Sequence, residues 1–193
     1  MPPSICGWPT GPALAERREF LTDTFATPIG ELAIMADADG RLRGLAWGDR
    51  LEIKCRVMDR HYGAGTYMLV PAADPFGLTT ALRRYFAGEL HVIDDLPVAT
   101  LGSDFQRAVW AQLRRIPCGE TISYGEMARR VGDPGASRAV GLANNANPVG
   151  IVVPCHRVIG ADGRLVGFGG GMDRKRWLLS HESRAGRAPE LPF

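Results

Sequence analysis

Apolar and polar residues alternate through the first half of the chain, and this period of two predicts β-strands. The alternation starts at Thr22, residues 25–27 and the apolar residues 32–35 each predict a strand, and Pro28-Ile29-Gly30 supplies a turn between them. Asp39-Gly40 is a hairpin turn signal. A third strand follows this turn, and its apolar residues are Leu42, Leu45 and Trp47. The pattern therefore predicts a small antiparallel sheet.

Apolar residues at helical spacing predict two helices after this sheet. The first contains the series Leu51, Cys55, Met58 and Tyr62. The second covers residues 78–87, with Leu82 and Phe86 on its inner face and Gly88 at its end. No residue set in this half indicates catalysis, and Tyr85-Phe86-Ala87-Gly88 is interpreted as packing.

Helical patterns dominate the second half. Residues 104–115 predict an amphipathic helix with an apolar residue at every fourth position, and residues 173–183 predict the last helix. Residues 150–153 form a short β-branched run, which predicts a strand or an extended buried segment. Residues 159–165 predict a short hairpin.

A helix-turn-helix pattern lies between these elements. Ser123 and Glu126 have the spacing of a capping box that starts a short helix. In the turn that follows, Asp133 can cap and Pro134 can open a second helix over residues 136–145. Such helix pairs also occur without DNA, and small residues also pack helix against helix, so the pattern alone leaves both interpretations open.

Together the elements predict an α+β protein of two domains. Residues 19–97 carry the sheet, whereas residues 103–193 are mainly helical and contain the helix-turn-helix. Residues 98–102 form the predicted linker. Residues 1–18 begin rich in proline and glycine and predict a flexible tail.

The chain has 193 residues, of which 45% are hydrophobic and 23% charged, as in an ordinary soluble globular protein. It shows no signal peptide and no apolar stretch long enough to span a membrane, which predicts a cytoplasmic protein. The cysteines lack C-x-x-C spacing, which argues against a metal site and a disulfide framework and fits a reducing compartment. They are Cys6, Cys55, Cys118 and Cys155.

Charge is distributed unevenly between the two halves. Residues 1–97 carry 10 basic and 13 acidic side chains, and residues 98–193 carry 13 basic and 8 acidic ones. A polyanionic partner is therefore expected on the second half. A solvated face explains so small an asymmetry equally well.

A cysteine and a histidine stand side by side after the β-branched run, in the sequence Pro154-Cys155-His156-Arg157-Val158. The thiolate is the nucleophilic form of cysteine, and a neighbouring base favours it. On this adjacency alone, a structural cysteine beside an exposed histidine is the better explanation.

The wider context changes that interpretation. Residues 147–158, Asn-Pro-Val-Gly-Ile-Val-Val-Pro-Cys-His-Arg-Val, resemble the active-site signature of the O6-alkylguanine-DNA alkyltransferases. The resemblance is dense over residues 102–183 and looser before them. It implies an N-terminal domain of ribonuclease-H type and a winged-helix-like C-terminal domain that contains the helix-turn-helix.

The resemblance also implies a set of catalytic residues. Cys155 attacks the alkyl carbon, His156 takes the thiol proton through a water molecule, and Glu182 holds the imidazole. Asn147 belongs to this hydrogen-bond network, and Tyr124 protonates or polarises the departing guanine. The substrate pocket is formed by Val158, Phe168 and Gly169. Phe168 departs from the tyrosine of many members, and Gly150 departs from the proline of some.

The implied partner is double-stranded DNA that carries O6-alkylguanine, or possibly O4-alkylthymine, bound through the minor groove. Arg138 fills the gap left by the extruded base, while Tyr124 crowds the 3′ phosphate of the target. The other implied DNA contacts are Ser137, Ala139, Gly141 and Asn144. The resemblance implies no cofactor, a single turnover, and a monomer in solution of which several copies can bind DNA together.

Three alternatives remain open on the sequence. A lesion-sensing relative would lack the nucleophile, but Cys155 is present. A transcription factor would show sequence preference, and a cysteine hydrolase would turn over repeatedly. The glycine-rich residues 166–171 lack the spacing of a phosphate-binding loop and resemble the loop that closes over guanine in this family.

Overall fold

The structure is a computed structural model that describes residues 17–183, apart from the side chains of residues 53 and 54. The predicted flexible tail lies outside these residues except for its end, where Arg18 already begins a strand. No helix within the described part of the chain is long and apolar enough to cross a membrane.

The N-terminal half contains a four-stranded sheet with the order β3-β2-β1-β4. Pairing is antiparallel between β1 and β2 and between β2 and β3, as predicted, and the two predicted turns join these strands. The fourth strand was not predicted, and it pairs parallel with β1, so the sheet is mixed rather than wholly antiparallel. The strands are β1 (Arg18–Thr27), β2 (Gly30–Ala36), β3 (Leu42–Trp47) and β4 (Tyr67–Pro71).

Strand β4 escapes prediction for a physical reason. It lies at the edge of the sheet, and most of its side chains are only half-buried, so no alternation marks it. Its parallel pairing depends on the crossover through helix α1 (Leu51–Tyr62), which is not a local signal. Helix α1 carries Cys55, which is disulfide-bonded, so the expectation that the cysteines form no disulfide is wrong at this position.

Helix α2 (Leu78–Phe86) ends close to the predicted residue, and Leu82, Tyr85 and Phe86 on it are buried. Gly88 follows with φ 109°, a conformation that favours glycine and that breaks the helix. Helix α2 packs on β1, so one layer of helix covers one face of the sheet.

The C-terminal half is mainly helical, which confirms the α+β class. Its helices are α3 (Asp104–Leu113), α4 (Tyr124–Arg130), α5 (Ser137–Asn145) and α6 (Met172–Ser183). Helices α4 and α5 form the predicted pair, and the Ser123 hydroxyl accepts the Glu126 amide at 3.1 Å to cap α4. The predicted role of Pro134 is wrong, since α5 begins at Ser137, and the Asp133 carboxylate closes a turn by accepting the Gly135 amide.

Two predictions of extended structure near the cysteine are wrong. Residues 150–153 form a buried tight turn in which Ile151 has φ 79° and the Val153 amide donates to the Val149 carbonyl. Residues 159–165 form a single turn rather than a hairpin. The strand there, β6 (Val158–Ile159), pairs parallel with β5 (Ile122–Ser123) in front of α4.

One hydrophobic core runs through both halves of the described chain. At the edge strand β3, the Leu42 amide donates to the Pro97 carbonyl and the Leu45 amide donates to the Pro148 carbonyl, at 2.8 and 2.9 Å. The sheet therefore contacts directly the segment that precedes the cysteine. The division into domains at residues 98–102 stays a prediction.

Candidate active site

Cys155 is the first residue of a 3₁₀ turn, Cys155–Arg157, and it is 7% exposed. Its amide donates to the Val153 carbonyl at 2.8 Å, and the Arg157 amide donates to the Pro154 carbonyl at 3.0 Å. Pro154 fixes its own φ and so restricts the chain next to the sulfur. The local sequence thus presents the thiol from a short rigid turn.

Asn147 lies behind this turn and is buried. Its side-chain amide donates to the Val153 carbonyl at 2.8 Å, and its side-chain oxygen accepts the Val149 amide at 3.0 Å. These bonds hold a turn whose residue Ile151 has a left-handed φ that costs a β-branched side chain free energy. Asn147 thus braces the backbone of the turn that precedes Cys155, and its part in catalysis stays a prediction.

His156 and Glu182 are paired in the interior. His156 Nε2 lies 3.0 Å from Glu182 Oε1, and both side chains are almost fully inaccessible to solvent. A carboxylate only accepts hydrogen bonds, so the Nε2 atom carries the proton and Nδ1 is left unprotonated. Nδ1 is buried and has no hydrogen-bond partner among the described residues. The imidazole is therefore oriented to accept a proton at Nδ1.

Two further side chains bind the same carboxylate, and neither was predicted. Arg157 donates from Nε to Glu182 Oε2 at 2.8 Å and from its terminal nitrogen to Oε1 at 2.9 Å. The hydroxyl of Tyr85 donates to Oε1 at 2.8 Å. Tyr85 comes from α2 in the other half of the chain, so its interpretation as packing was incomplete.

The protonation states follow from this network. Burial raises the pKa of the Glu182 carboxyl, but the hydrogen bonds that His156 and Arg157 donate, together with the charge of the Arg157 guanidinium, outweigh it and hold that pKa well below its ordinary value. Burial lowers the pKa of His156, against the attraction of Glu182. At neutral pH the set is therefore a carboxylate, a neutral imidazole and a guanidinium.

Substituting Tyr85 with phenylalanine tests how the carboxylate tunes the imidazole. The variant keeps the buried ring but removes one donor from Glu182 Oε1, so Oε1 becomes a stronger acceptor for the His156 Nε2 proton. We expect the pKa of His156 to rise, measured by its NMR titration. Tyr62→Phe is the control, since its hydroxyl contacts Arg43 at 3.4 Å, far from the site. An unchanged titration of His156 would contradict the tuning role.

A pocket of about 660 Å³ opens beside Cys155. It lies between helix α5, Tyr124 at the start of α4, and the segment after β6. Its lining residues are Tyr124, Ser137, Arg138, Gly141, Leu142, Asn144, Asn145, Cys155, Val166, Gly167, Phe168 and Gly169. Most of the predicted DNA-binding and substrate residues are thus brought together around the cysteine.

Two of the predicted DNA-binding and substrate residues lie outside this lining. Ala139 is half-buried. Val158 is fully buried, and its carbonyl accepts a hydrogen bond from Lys175. Leu142 lines the pocket but was missed, although a large apolar residue four positions after Arg138 on a helix of small residues could have indicated it. Leu142 is 72% exposed.

Tyr124 packs closely against α5, where a Cβ on Gly141 would lie 3.9 Å from its ring. Its hydroxyl donates to the Val166 carbonyl at 3.2 Å. Burial, and next the negative charge of a Cys155 thiolate, raise the pKa of Tyr124, so the phenol stays protonated at neutral pH. Tyr124 can therefore serve as a proton donor inside the pocket.

Lys175 on α6 is buried, and no sequence pattern predicted a role for it. Its ammonium group donates to the carbonyls of Val158 and Val166 at 2.7 and 2.8 Å. Burial lowers the pKa of Lys175 to about 8, against the attraction of the sulfur of Cys155. Phe168 lies on the other side, with its ring edge-on to His156 at a centroid distance of 6.4 Å.

Within residues 17–183, no group of three or more His, Cys, Asp or Glu side chains is placed to hold a metal ion. The site itself combines a cysteine with a histidine–carboxylate pair. A helix-turn-helix whose second helix borders the pocket of such a cysteine is the arrangement of DNA alkyltransferases.

Comparison with known proteins agrees with this class. Residues 104–184 match the family model described as the DNA-binding domain of 6-O-methylguanine DNA methyltransferase. The methylated-DNA–protein-cysteine methyltransferase of Shigella flexneri is 50% identical over 162 residues, which cover 84% of this chain and 95% of that protein. The protein of the same name from Salmonella typhimurium is 52% identical over 165 residues, with the same coverage. The chain therefore belongs to the methylated-DNA–protein-cysteine methyltransferase family.

Solved structures show the same fold. The crystal structure of the O6-methylguanine methyltransferase from Mycobacterium tuberculosis has a TM-score of 0.70 at 42% identity, and the match covers 89% of this chain and 94% of that one. A crystal structure of the M. tuberculosis protein OGT in complex with DNA matches with a TM-score of 0.70 and covers 86% of this chain and 94% of that one.

Proposed function

We propose that this protein repairs duplex DNA by moving an alkyl group from O6 of guanine, with O4 of thymine as a second candidate, onto Cys155 in a single irreversible turnover. The observation that carries the proposal is the position of Cys155 at the edge of a pocket, next to an imidazole that Glu182 orients. Family membership supports the same chemistry, since the relatives are named for transfer to a protein cysteine.

The reaction is a direct displacement at carbon. His156 Nδ1 takes the thiol proton of Cys155 through a water molecule, and the resulting thiolate attacks the alkyl carbon. The S–C bond forms as the C–O bond breaks, and the electron pair of that bond stays on guanine. Tyr124 polarises or protonates the leaving guanine, which therefore departs without a full negative charge.

The product explains the single turnover. A thioether at Cys155 has no leaving group that water could displace, so the chain stays alkylated. The backbone near Cys155, Val158 and Gly169 reads the edge of the base in this proposal. Phe168 offers an apolar face where many relatives carry a phenol.

DNA binding is assigned to helix α5, entering the minor groove. Its residues Ser137, Arg138, Gly141 and Asn144 line the pocket, and the small ones allow a close approach of the backbone to DNA. The target base must leave the duplex to reach Cys155, which costs a few kcal/mol. Arg138 is exposed at the rim, where its side chain can fill the gap and offset that cost.

Replacing Arg138 with alanine should separate base extrusion from chemistry. We expect the repair rate of methylated duplex DNA to fall about tenfold or more, because an inserted side chain offsets part of the cost of extrusion. The rate with free O6-benzylguanine should change less than about twofold. Quenched-flow assays with both substrates measure the two effects.

Arg164→Ala is the matched control, because its guanidinium is also exposed but lies outside the pocket lining. An equal loss on duplex DNA and free base in the Arg138→Ala variant would remove the extrusion role from Arg138.

Stoichiometry tests the proposed function as a whole. The protein is incubated with an excess of methylated duplex, and the intact protein and its peptides are weighed by mass spectrometry. One methyl group per chain, located on Cys155, with one guanine restored per chain, is the expected result. Consumption of many lesions by protein that stays unmodified would indicate a hydrolase and refute the proposal.

A further inference from the structure

Two consecutive cations on α6 hold the two ends of the segment that closes the pocket. This segment, residues 166–170, is called here the pocket loop. Lys175 binds its first carbonyl, that of Val166, at 2.8 Å, and Arg174 binds its last carbonyl, that of Gly170, at 2.9 Å. Between these ends the loop carries Phe168, which lines the pocket.

Arg174 is itself fixed by the sheet half of the chain. Its guanidinium pairs with Asp49 at 2.8 and 3.1 Å, donates to the Ile29 carbonyl at 2.9 Å, and lies over the Trp47 ring at 4.6 Å from the centroid. The hydrogen bond from Arg174 is the main cause that lowers the pKa of the Asp49 carboxyl. The contact therefore joins the turn between β1 and β2, the end of β3 and α6 at one point.

Gly170 couples the position of Arg174 to the position of Phe168 in the pocket. A Cβ on Gly170 would lie 2.7 Å from Trp47 Nε1 and 2.6 Å from the Phe168 ring, so the backbone is packed tightly between the two aromatic side chains. The Gly171 amide also donates to the Phe168 carbonyl at 2.9 Å. Displacement of Gly170 would therefore move Phe168.

We propose that Arg174, held by Asp49 and Trp47, is a positioning residue that sets how far the pocket loop stands from Cys155, and hence how large an alkyl group the pocket accepts. The inference rests on the proposed function and adds a determinant of specificity outside the pocket. Through this contact, the sheet half of the chain influences the size of the alkyl group that the pocket accepts, although the contact involves neither the DNA nor the sulfur of Cys155.

The test compares Asp49→Asn and Arg174→Met with Asp39→Asn. Asp49 is 55% exposed and Asp39 is 70% exposed, and each pairs with an arginine, but Asp39 pairs with Arg41 in the hairpin turn away from the loop. The rates with O6-benzylguanine and O6-methylguanine are measured in the same duplex. We expect the benzyl-to-methyl rate ratio to rise about two- to fivefold in Asp49→Asn, as suits a partly exposed ion pair, and further in Arg174→Met.

Hydrogen exchange of the peptide that covers residues 166–171 supplies a second readout. Exchange should be faster in Asp49→Asn and unchanged in Asp39→Asn. A wild-type ratio and wild-type exchange in both Asp49→Asn and Arg174→Met would overturn the inference. Hydrogen exchange requires no alkyl transfer. A wild-type protein that failed to react would therefore refute the proposed function, whereas the exchange rates of the variants would still test whether Arg174 positions the pocket loop.

Discussion

Replacing Cys155 with serine is expected to abolish alkyl transfer to the protein. A serine hydroxyl remains protonated beside a neutral imidazole, and oxygen is a poorer nucleophile than a soft thiolate toward an alkyl carbon. The fold should persist, because the change removes little volume from a turn that backbone hydrogen bonds hold. Intact-protein mass spectrometry after incubation with methylated duplex measures the result.

Cys118→Ser is the matched control. Among residues 17–183, Cys118 also carries a thiol that is not in a disulfide. Burial, followed by the negative charge of Glu182, raises the pKa of the Cys118 thiol to about 12, so it stays protonated and unreactive. This variant should accept one methyl group as the wild type does. Methylation of the Cys155→Ser variant, or its loss in Cys118→Ser, would move the reaction to a different sulfur.

Replacing Glu182 with glutamine should lower the free energy of unfolding by about 3–5 kcal/mol and also remove most of the activity. Arg157 is 3% exposed and has its charge balanced by Glu182, so the variant leaves a buried guanidinium without a counter-ion. His156 also loses the acceptor that fixes its tautomer. Urea unfolding and the alkyl-transfer rate measure the two effects.

The control for this change is Glu89→Gln. Glu89 pairs with Arg84 on the surface, and both side chains are more than half exposed, so its loss should cost less than about 1 kcal/mol. Similar losses in the two variants would show that the buried network contributes no more than an ordinary surface pair.

The stability difference between the wild type and the Glu182→Gln variant should depend on pH. The folded pKa of Glu182 is lowered from its ordinary value of 4.5, so its contribution is fully present above pH 4.5. It is lost as the pH falls below that value, because the unfolded chain then binds a proton that the folded chain does not bind. Urea unfolding of both proteins at neutral and acidic pH checks this direction, and a constant difference would contradict it.

Local patterns predicted much of the fold. Apolar residues between turn signals located β2 and β3, which are buried on both faces. Helical spacing located α1, α2, α3 and α6, because each of these helices buries one face. The wrong predictions share a different cause. Residues 150–153 have a strand-like composition, but the bonds from Asn147 and the packing of the core impose a turn on them.

The residues of the candidate site also differ in whether a local sequence pattern predicted them. The order Cys155-His156 and the small-residue helix with Arg138 are local facts of the sequence, and they suffice for the resemblance to a family. The resemblance supplied Glu182, but only the structure placed its carboxylate at 3.0 Å from the imidazole.

By itself, the sequence determined the proposed nucleophile, the proposed base beside it and the helices that form the pocket wall, because these depend on neighbours along the chain. Only the tertiary structure decided that Tyr85 and Arg157 share the carboxylate of Glu182, and that Arg174 joins the sheet to the pocket loop. These contacts join residues up to 145 positions apart. A hydrogen bond over such a separation leaves no periodic trace in the sequence, since it forms only after the packed core has brought its donor and acceptor together.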